Sequence, residues 1–162
     1  MDYTELLIEA DRNHLVTKEK PLKACDGRIK GNKIAIKDTL TTTEKKCVLA
    51  EELGHYYTSV GNILNQNSVQ NRKQEQKARL WSYNRLIGLN GIINSYRHGC
   101  HSLAEMAEYL EVTQEFLAEA IQRYRSKYGE FTTLDNYIIY FEPELAVIEM
   151  YEAPYSSQKL PR

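Results

Sequence analysis

Cysteine and histidine are scarce in this chain, and their one close grouping, His98-Gly-Cys100-His101, is more typical of a connecting loop than of a metal site. The 162 residues contain three cysteines, Cys25, Cys47 and Cys100, and four histidines. The cysteines are odd in number and widely spaced, without a Cys-x-x-Cys pair. This pattern excludes a disulfide framework and is typical of a reducing compartment. The small number of histidines limits any histidine-rich metal site.

The chain also lacks an excess of one charge and any long hydrophobic run. Its 21 Lys and Arg balance 22 Asp and Glu, which gives a net charge of −1 at pH 7. A general nucleic-acid coat protein needs a basic surface. No stretch approaches the roughly 20 apolar residues of a membrane-spanning helix, and the first residues carry acids where a signal peptide carries bases. We therefore expect a cytoplasmic protein without membrane segments.

The composition is that of a folded domain. Hydrophobic residues make up 42% of the chain and charged residues 27%, as in globular proteins. The pattern of elements predicts an α+β fold, with a helical core beside a small antiparallel β-sheet, followed by a C-terminal helix pair and a short β-hairpin. We expect a core domain over residues 1–96, the helix pair and strands of 97–152 packed on it, and a flexible tail over 153–162.

Local signals predict the elements of the core domain. Gly31-Asn32 suits the two-residue turn of a β-hairpin over 28–36. Thr41, with Glu44 three residues later, forms a capping box that begins a long helix. The remaining expectations are a first helix over 3–16, an end of the long helix near Thr58, a loop over 62–71 and a second helix over 72–89.

The C-terminal third has the outline of a helix-turn-helix. Ser102 and Thr113 are the expected caps of two short helices, and strands are expected over 137–141 and 145–148. The second helix presents Glu115 and Glu119, whose charges would repel DNA phosphates. We therefore expect no direct DNA binding, and interpret the pair as structural or as a docking surface for a partner.

The segment Glu51-Glu52-Leu-Gly-His55 lies inside the long helix and is the best candidate for chemistry. Glu51 and His55 are four residues apart, so both project from one helical face and can share a metal ion. Glu52 is one position round and can lie beside that ion. This is the geometry of the HExxH zinc helix, in which the central Glu is the general base. Glu75, on the next predicted helix, can supply a third ligand.

Other interpretations of these residues remain open. The Glu51–His55 spacing alone also fits a solvated helix face with an incidental histidine. The basic residues around Glu75 form either a solvated face or an electrostatic rim that attracts an acidic substrate. They are Arg72, Lys73, Lys77, Arg79 and Arg85. Tyrosines on the two motif helices are either oxyanion donors or packing residues. They are Tyr56, Tyr57 and Tyr83.

The residues around these positions resemble the ImmA/IrrE family of metallopeptidases. The segment 48–57 is similar to that family's LAHELGH helix, and 75–82 to its E-x-x-A-x-x-F-A helix. The hairpin over 28–36 matches the strand pair that precedes the zinc helix. The resemblance covers about residues 20–90. It implies a zincin-like helical core and a metallopeptidase-like domain over 1–96.

The resemblance also implies roles for the site residues. His55 and Glu75 would be metal ligands and Glu52 the general base, with Zn²⁺ as the cofactor. Glu51 occupies the position of the family's first histidine ligand. A second carboxylate leaves the zinc and its ligands with a formal charge of about zero, which weakens the acidification of bound water. An oxygen-rich set also suits Mn²⁺ or another hard divalent cation.

Two functions follow from the resemblance, and the residues leave both open. The first is a metal-dependent endopeptidase-like regulator of a phage or mobile element, which acts on a protein substrate such as a helix-turn-helix repressor. The second is a catalytically silent, metallopeptidase-like binding protein, for example the partner of a repressor or half of a toxin–antitoxin-like pair. The replacement of histidine by Glu51 favours the second.

Overall fold

The computed structural model of the chain describes residues 1–59 and 68–151. The expected flexible tail over 153–162 lies outside these residues, as does most of the expected loop over 62–71. The described helices are α1 (Tyr3–Arg12), α2 (Thr42–Thr58), α3 (Ser68–Leu86), α4 (Gly88–His98), α5 (Leu103–Leu110) and α6 (Gln114–Tyr128). The described strands are β1 (Val16–Lys20), β2 (Gly27–Lys30), β3 (Lys33–Lys37), β4 (Phe131–Leu134), β5 (Tyr137–Tyr140) and β6 (Ala146–Glu149).

The first sheet has the strand order β1-β3-β2. The predicted hairpin is confirmed, with β2 antiparallel to β3 across a turn in which Gly31 has a φ of 61°. The first helix was expected to reach residue 16, but this is wrong because α1 ends at Arg12. His14 then adopts a left-handed φ of 59°, which ends the helix and turns the chain into β1. Because β1 runs parallel to β3, the sheet is mixed rather than antiparallel.

The long helix α2 forms the centre of the core. Its capping box is confirmed, since Thr41 Oγ1 accepts from the Glu44 N–H at 3.3 Å and the Thr41 N–H donates to Glu44 Oε2 at 2.7 Å. The side chains of Leu49 and Leu53 are fully buried in the core. The burial of these two leucines fixes which face of α2 packs against the core. It therefore also fixes the direction in which the motif residues project.

Helices α3 and α4 depart from the sequence-based boundaries. The second helix was expected over 72–89, whereas α3 covers Ser68–Leu86 and α4 is a separate helix over Gly88–His98. The interruption occurs at Gly88, which has a positive φ of 61°. A positive φ interrupts the right-handed helix at this residue. Glycine adopts a positive φ without steric cost, whereas residues with a Cβ rarely do. The helix over 88–98 was missed altogether.

The C-terminal elements pack on the core through α6. Both predicted caps are confirmed, because Ser102 Oγ accepts from the Glu105 N–H and Thr113 Oγ1 accepts from the Phe116 N–H, each at 3.1 Å. The Phe116 ring packs edge-on against Tyr83 of α3. The expected hairpin is β5–β6, but β4 pairs with β5 as well and completes a three-stranded antiparallel sheet. The α+β expectation is confirmed.

No helix in the described ranges is long and apolar enough to cross a membrane.

Candidate functional site

The four predicted site residues line one cleft. It has a volume of about 560 Å³ and lies between α2, α3, the beginning of β2 and the first turns of α6. Glu51, Glu52 and His55 project into it from α2, and Glu75 from α3. Residues at the start of α6 close one side of the cleft. The C-terminal helix pair therefore contributes a wall of the candidate site.

His55 and Glu75 form the central contact of the site. The distance between His55 Nε2 and Glu75 Oε2 is 3.2 Å. The contact depends on the close approach of α2 and α3, because a Cβ added at Gly54 would collide with the carbonyl oxygen of Ala78. Two ligands of one tetrahedral zinc ion, each about 2.1 Å from the metal, lie roughly 3.4 Å apart. The observed spacing therefore suits two ligands of one ion.

Arg79 holds the other oxygen of the Glu75 carboxylate. Its Nε donates to Glu75 Oε1 at 2.8 Å, and its Nη1 lies 3.4 Å from Glu119 Oε2. The Tyr83 hydroxyl donates to the same Glu119 oxygen at 2.9 Å. Arg79 thus connects α3 to α6. The sequence alone indicated Arg79 only as one of the basic residues around Glu75, although the i, i+4 spacing from Glu75 is a signal for such a pair.

Glu52 is buried at the back of the cleft, with 9% of its surface exposed. The pKa of its carboxyl is raised to about 7, mainly by burial and then by the charge of Glu51, while the hydrogen bond from the Ile29 backbone N–H opposes the rise. A Cβ at Gly27 would lie 2.9 Å from Glu52 Oε1, so the backbone of β2 passes close to the carboxylate. A carboxyl with a pKa near 7 can both accept and donate a proton at neutral pH.

Glu51 has a different electrostatic environment. Burial raises the pKa of its carboxyl to about 6, and the positive charge of Arg79 opposes this shift. The carboxylates of Glu119 and Glu75 raise the pKa of Glu51 in turn. The guanidinium of Arg79 therefore compensates part of the negative charge of these carboxylates. Glu119 was missed as a site residue, because nothing in the local sequence indicates a contact between residues 40 positions apart.

The side chains of the cleft meet some of the requirements of a divalent metal site. Imidazole and carboxylate groups are both zinc ligands, and the spacing of His55 and Glu75 suits a shared ion. Glu51 lines the same cleft, but among the described residues no three His, Cys, Asp or Glu side chains are gathered closely enough to hold a metal. The residues fit a metal in chemistry and in the His55–Glu75 spacing. The ligand roles of Glu51, His55 and Glu75 stay predictions.

The tyrosines of the motif helices are packing residues in part. Tyr57 stacks on Trp81 with ring centroids 4.8 Å apart, and its hydroxyl donates to Glu9. Tyr83 uses its hydroxyl on Glu119. These two hydroxyls already have acceptors within the chain, so the packing interpretation describes them better than an oxyanion role.

Comparison with known proteins agrees with the motifs. A family model described as the IrrE N-terminal-like domain of the peptidase M78 group matches residues 10–122. The matched segment is more than half of the chain, and it extends through α4 and α5 into α6. No curated protein matches the chain.

Proposed function

Because the chain belongs to the peptidase M78 family of metallopeptidase-like proteins, we propose that it is a metal-dependent endopeptidase that acts on a protein substrate. The single observation that carries this proposal is the placement of Glu52, a buried carboxyl that lines the same cleft as the His55–Glu75 pair. The expected cofactor is Zn²⁺, held by Glu51, His55 and Glu75, with Mn²⁺ or another divalent cation as the alternative. The expected location is the cytoplasm.

The chemistry of the residues follows from their placement. A zinc ion at these ligands would polarise the scissile carbonyl and acidify a water molecule. Glu52 takes the proton of the attacking water and later passes it to the leaving amine. Its burial raises the pKa of the carboxyl above the ordinary value, which suits a group that must both take up and release a proton. The desolvated position of Glu52 therefore supports the role of general base.

Strand β2 is well placed to hold a substrate. It lies at one side of the sheet order β1-β3-β2, and its first residue lines the cleft. An extended peptide can add to such a strand through main-chain hydrogen bonds, here without the Ile29 N–H, which already donates to Glu52. A segment bound in this way would run past Glu52. This geometry favours an unfolded or extended stretch of a protein as the substrate, rather than a small molecule.

The proposed substrate is a helix-turn-helix repressor of a phage or other mobile element. This step rests on the family and not on a residue of the cleft. We expect the protein itself not to bind DNA directly, because Glu119 of α6 is engaged by Arg79 and Tyr83 and α6 forms a wall of the cleft. The regulator would then act on the repressor protein and not on its operator.

If the neighbouring gene encodes a helix-turn-helix repressor, the test is proteolysis of that repressor with zinc supplied. We expect cleavage by the wild type and no cleavage by Glu52→Gln, which keeps the size of the side chain but cannot accept the proton. Glu108→Gln, the same change at an exposed position on α5, should cleave like the wild type. Equal cleavage by wild type and Glu52→Gln would contradict the assigned base.

A second function is favoured by one specific feature, the carboxylate of Glu51 in the first ligand position. A site with two carboxylates and a histidine generates hydroxide less readily. In this alternative the protein is catalytically silent and binds a repressor, or acts in a toxin–antitoxin-like pair. The same experiment separates the two functions, because a silent protein would bind the repressor without cleaving it and Glu52→Gln would bind equally well.

A further inference from the structure

The Glu75 carboxylate is shared between two partners on opposite oxygens. Oε2 lies 3.2 Å from His55 Nε2, and Oε1 accepts from Arg79 Nε at 2.8 Å. The contact with Arg79 therefore leaves Oε2 directed to His55. A carboxylate held by one oxygen loses the rotational freedom that would otherwise turn Oε2 away.

Arg79 is itself fixed from the other side. Its Nη1 lies 3.4 Å from Glu119 Oε2, and that oxygen accepts a hydrogen bond from the Tyr83 hydroxyl at 2.9 Å. The planar guanidinium can bind two carboxylates at once through different nitrogens, which a lysine ammonium cannot do in the same geometry. The chain of contacts runs from α6 through α3 to the histidine of α2.

We propose that Arg79 is a positioning residue that anchors Glu75 to Glu119 of α6 and so keeps Glu75 Oε2 directed to His55. This rests on the proposed function in one respect, since the metal is taken to bind between His55 and Glu75. Arg79 makes no contact with the metal in this account. Its effect on metal binding passes through the orientation of Glu75.

The direction of the change in metal affinity on removal of Arg79 distinguishes a positioning role from a purely electrostatic one. Removal of a nearby positive charge alone would strengthen the binding of a divalent cation. Loss of a partner that orients a ligand weakens metal binding by roughly tenfold or more. Arg79→Gln is therefore expected to weaken binding although it makes the cleft more negative. The two ion pairs of Arg79 are half-exposed, so the variant should fold.

Two measurements test the proposal on the full chain, with Lys77→Gln as the matched control. Lys77 is exposed on the same helix, so this change removes the same charge without touching Glu75. In EDTA, the imidazole ¹⁵N resonances of His55 should move in Arg79→Gln and stay in Lys77→Gln. In calorimetric titration with zinc alone, Arg79→Gln should bind roughly tenfold or more weakly than Lys77→Gln.

A third variant separates the effect of the planar guanidinium, which binds two carboxylates at once, from the effect of its positive charge. Arg79→Lys keeps the positive charge but loses the planar guanidinium. We therefore expect its zinc affinity to stay below that of the wild type. Full recovery by Arg79→Lys would contradict the bridging geometry.

The outcomes distinguish the inference from the proposed function. If Arg79→Gln matches Lys77→Gln in both the resonances and the zinc affinity, the inference is overturned while the metal site stands. If only the resonances move and the wild type binds no zinc, the positioning role of Arg79 stands and the proposed metal function fails. If neither the resonances move nor zinc binds, both are overturned.

Discussion

His55 Nε2 and Glu75 Oε2 lie 3.2 Å apart, although they belong to different helices. The distance is short because Gly54, the residue before His55, lets α2 approach the backbone of Ala78. A side chain at position 54 would push the two helices apart. The geometry of the candidate site therefore depends on a glycine that makes no contact with any substrate.

The first prediction concerns this glycine. Gly54→Ala should lower the free energy of unfolding by roughly 1–3 kcal/mol, because the added methyl group meets a backbone carbonyl that cannot rotate away. Denaturant unfolding monitored by circular dichroism measures the change. Gly91→Ala is the control, since a Cβ there would lie 3.3 Å from the Leu110 side chain, which can move. Equal stability of Gly54→Ala and the wild type would contradict the close approach.

The parts of the fold that sequence predicts are those with local signals. The capping box of Thr41 and the turn at Gly31-Asn32 each involve residues three or fewer positions apart, and both are confirmed. Strand β1 was missed because Val16–Lys20 has no alternation of apolar and polar residues. Helix α4 was missed because Gly88 and Gly91 interrupt the helical spacing of apolar residues by which a helix is predicted. In both cases the element is stabilised by contacts distant in sequence.

The same division applies to the site. Glu51, Glu52 and His55 were predicted together because helical periodicity fixes their common region, and Glu75 because its motif lies on the next helix. The contact of Arg79 with Glu119 and the passage of Gly27 over Glu52 are long-range. These two features decide the electrostatics of the cleft, and no local pattern in the sequence specifies them.

A second prediction concerns the buried lysine of α2. Lys46 is buried, and its Nζ donates to the Leu110 carbonyl at 3.0 Å, which ties α2 to the end of α5. Lys46→Ala leaves that carbonyl without its donor and should cost about 2–3 kcal/mol of stability. Lys45→Ala removes an ion pair with Glu19, whose side chain is 43% exposed, and should cost less than about 1 kcal/mol. Equal effects of the two substitutions, measured by urea unfolding, would contradict this assignment.

The third prediction is a dependence of stability on pH in metal-free protein. The pKa of Glu52 is raised from 4.5 to about 7, so the protonated carboxyl is favoured in the folded state. Its stabilising contribution is complete below pH 4.5 and is lost as the pH rises through about 7. For this buried group the loss is on the order of 2–3 kcal/mol.

Thermal unfolding in EDTA between pH 4.5 and 8 measures this contribution. Glu52→Gln does not titrate, so it should gain stability relative to the wild type as the pH rises. The exposed change Glu108→Gln should follow the wild type throughout. A constant difference between Glu52→Gln and wild type across this range would mean that the Glu52 carboxyl has its ordinary pKa.

The fourth prediction concerns the three free thiols. Cys25 is exposed at the cleft, whereas Cys47 is buried and burial raises the pKa of its thiol to about 11. A thiol reacts through its thiolate, so a disulfide reagent at pH 8 should modify Cys25 first and Cys47 only on unfolding. Mass spectrometry of timed samples identifies the modified residue. In guanidinium chloride all three should react, and rapid modification of Cys47 in the folded protein would contradict its burial.

The metal content of the purified protein after zinc loading and gel filtration tests the central claim most directly. We expect about one zinc ion per chain in the wild type, and loss of that ion in both His55→Ala and Glu75→Gln. Glu108→Gln should retain it. Less than about a tenth of an equivalent of any metal in the wild type would contradict the proposed metal site.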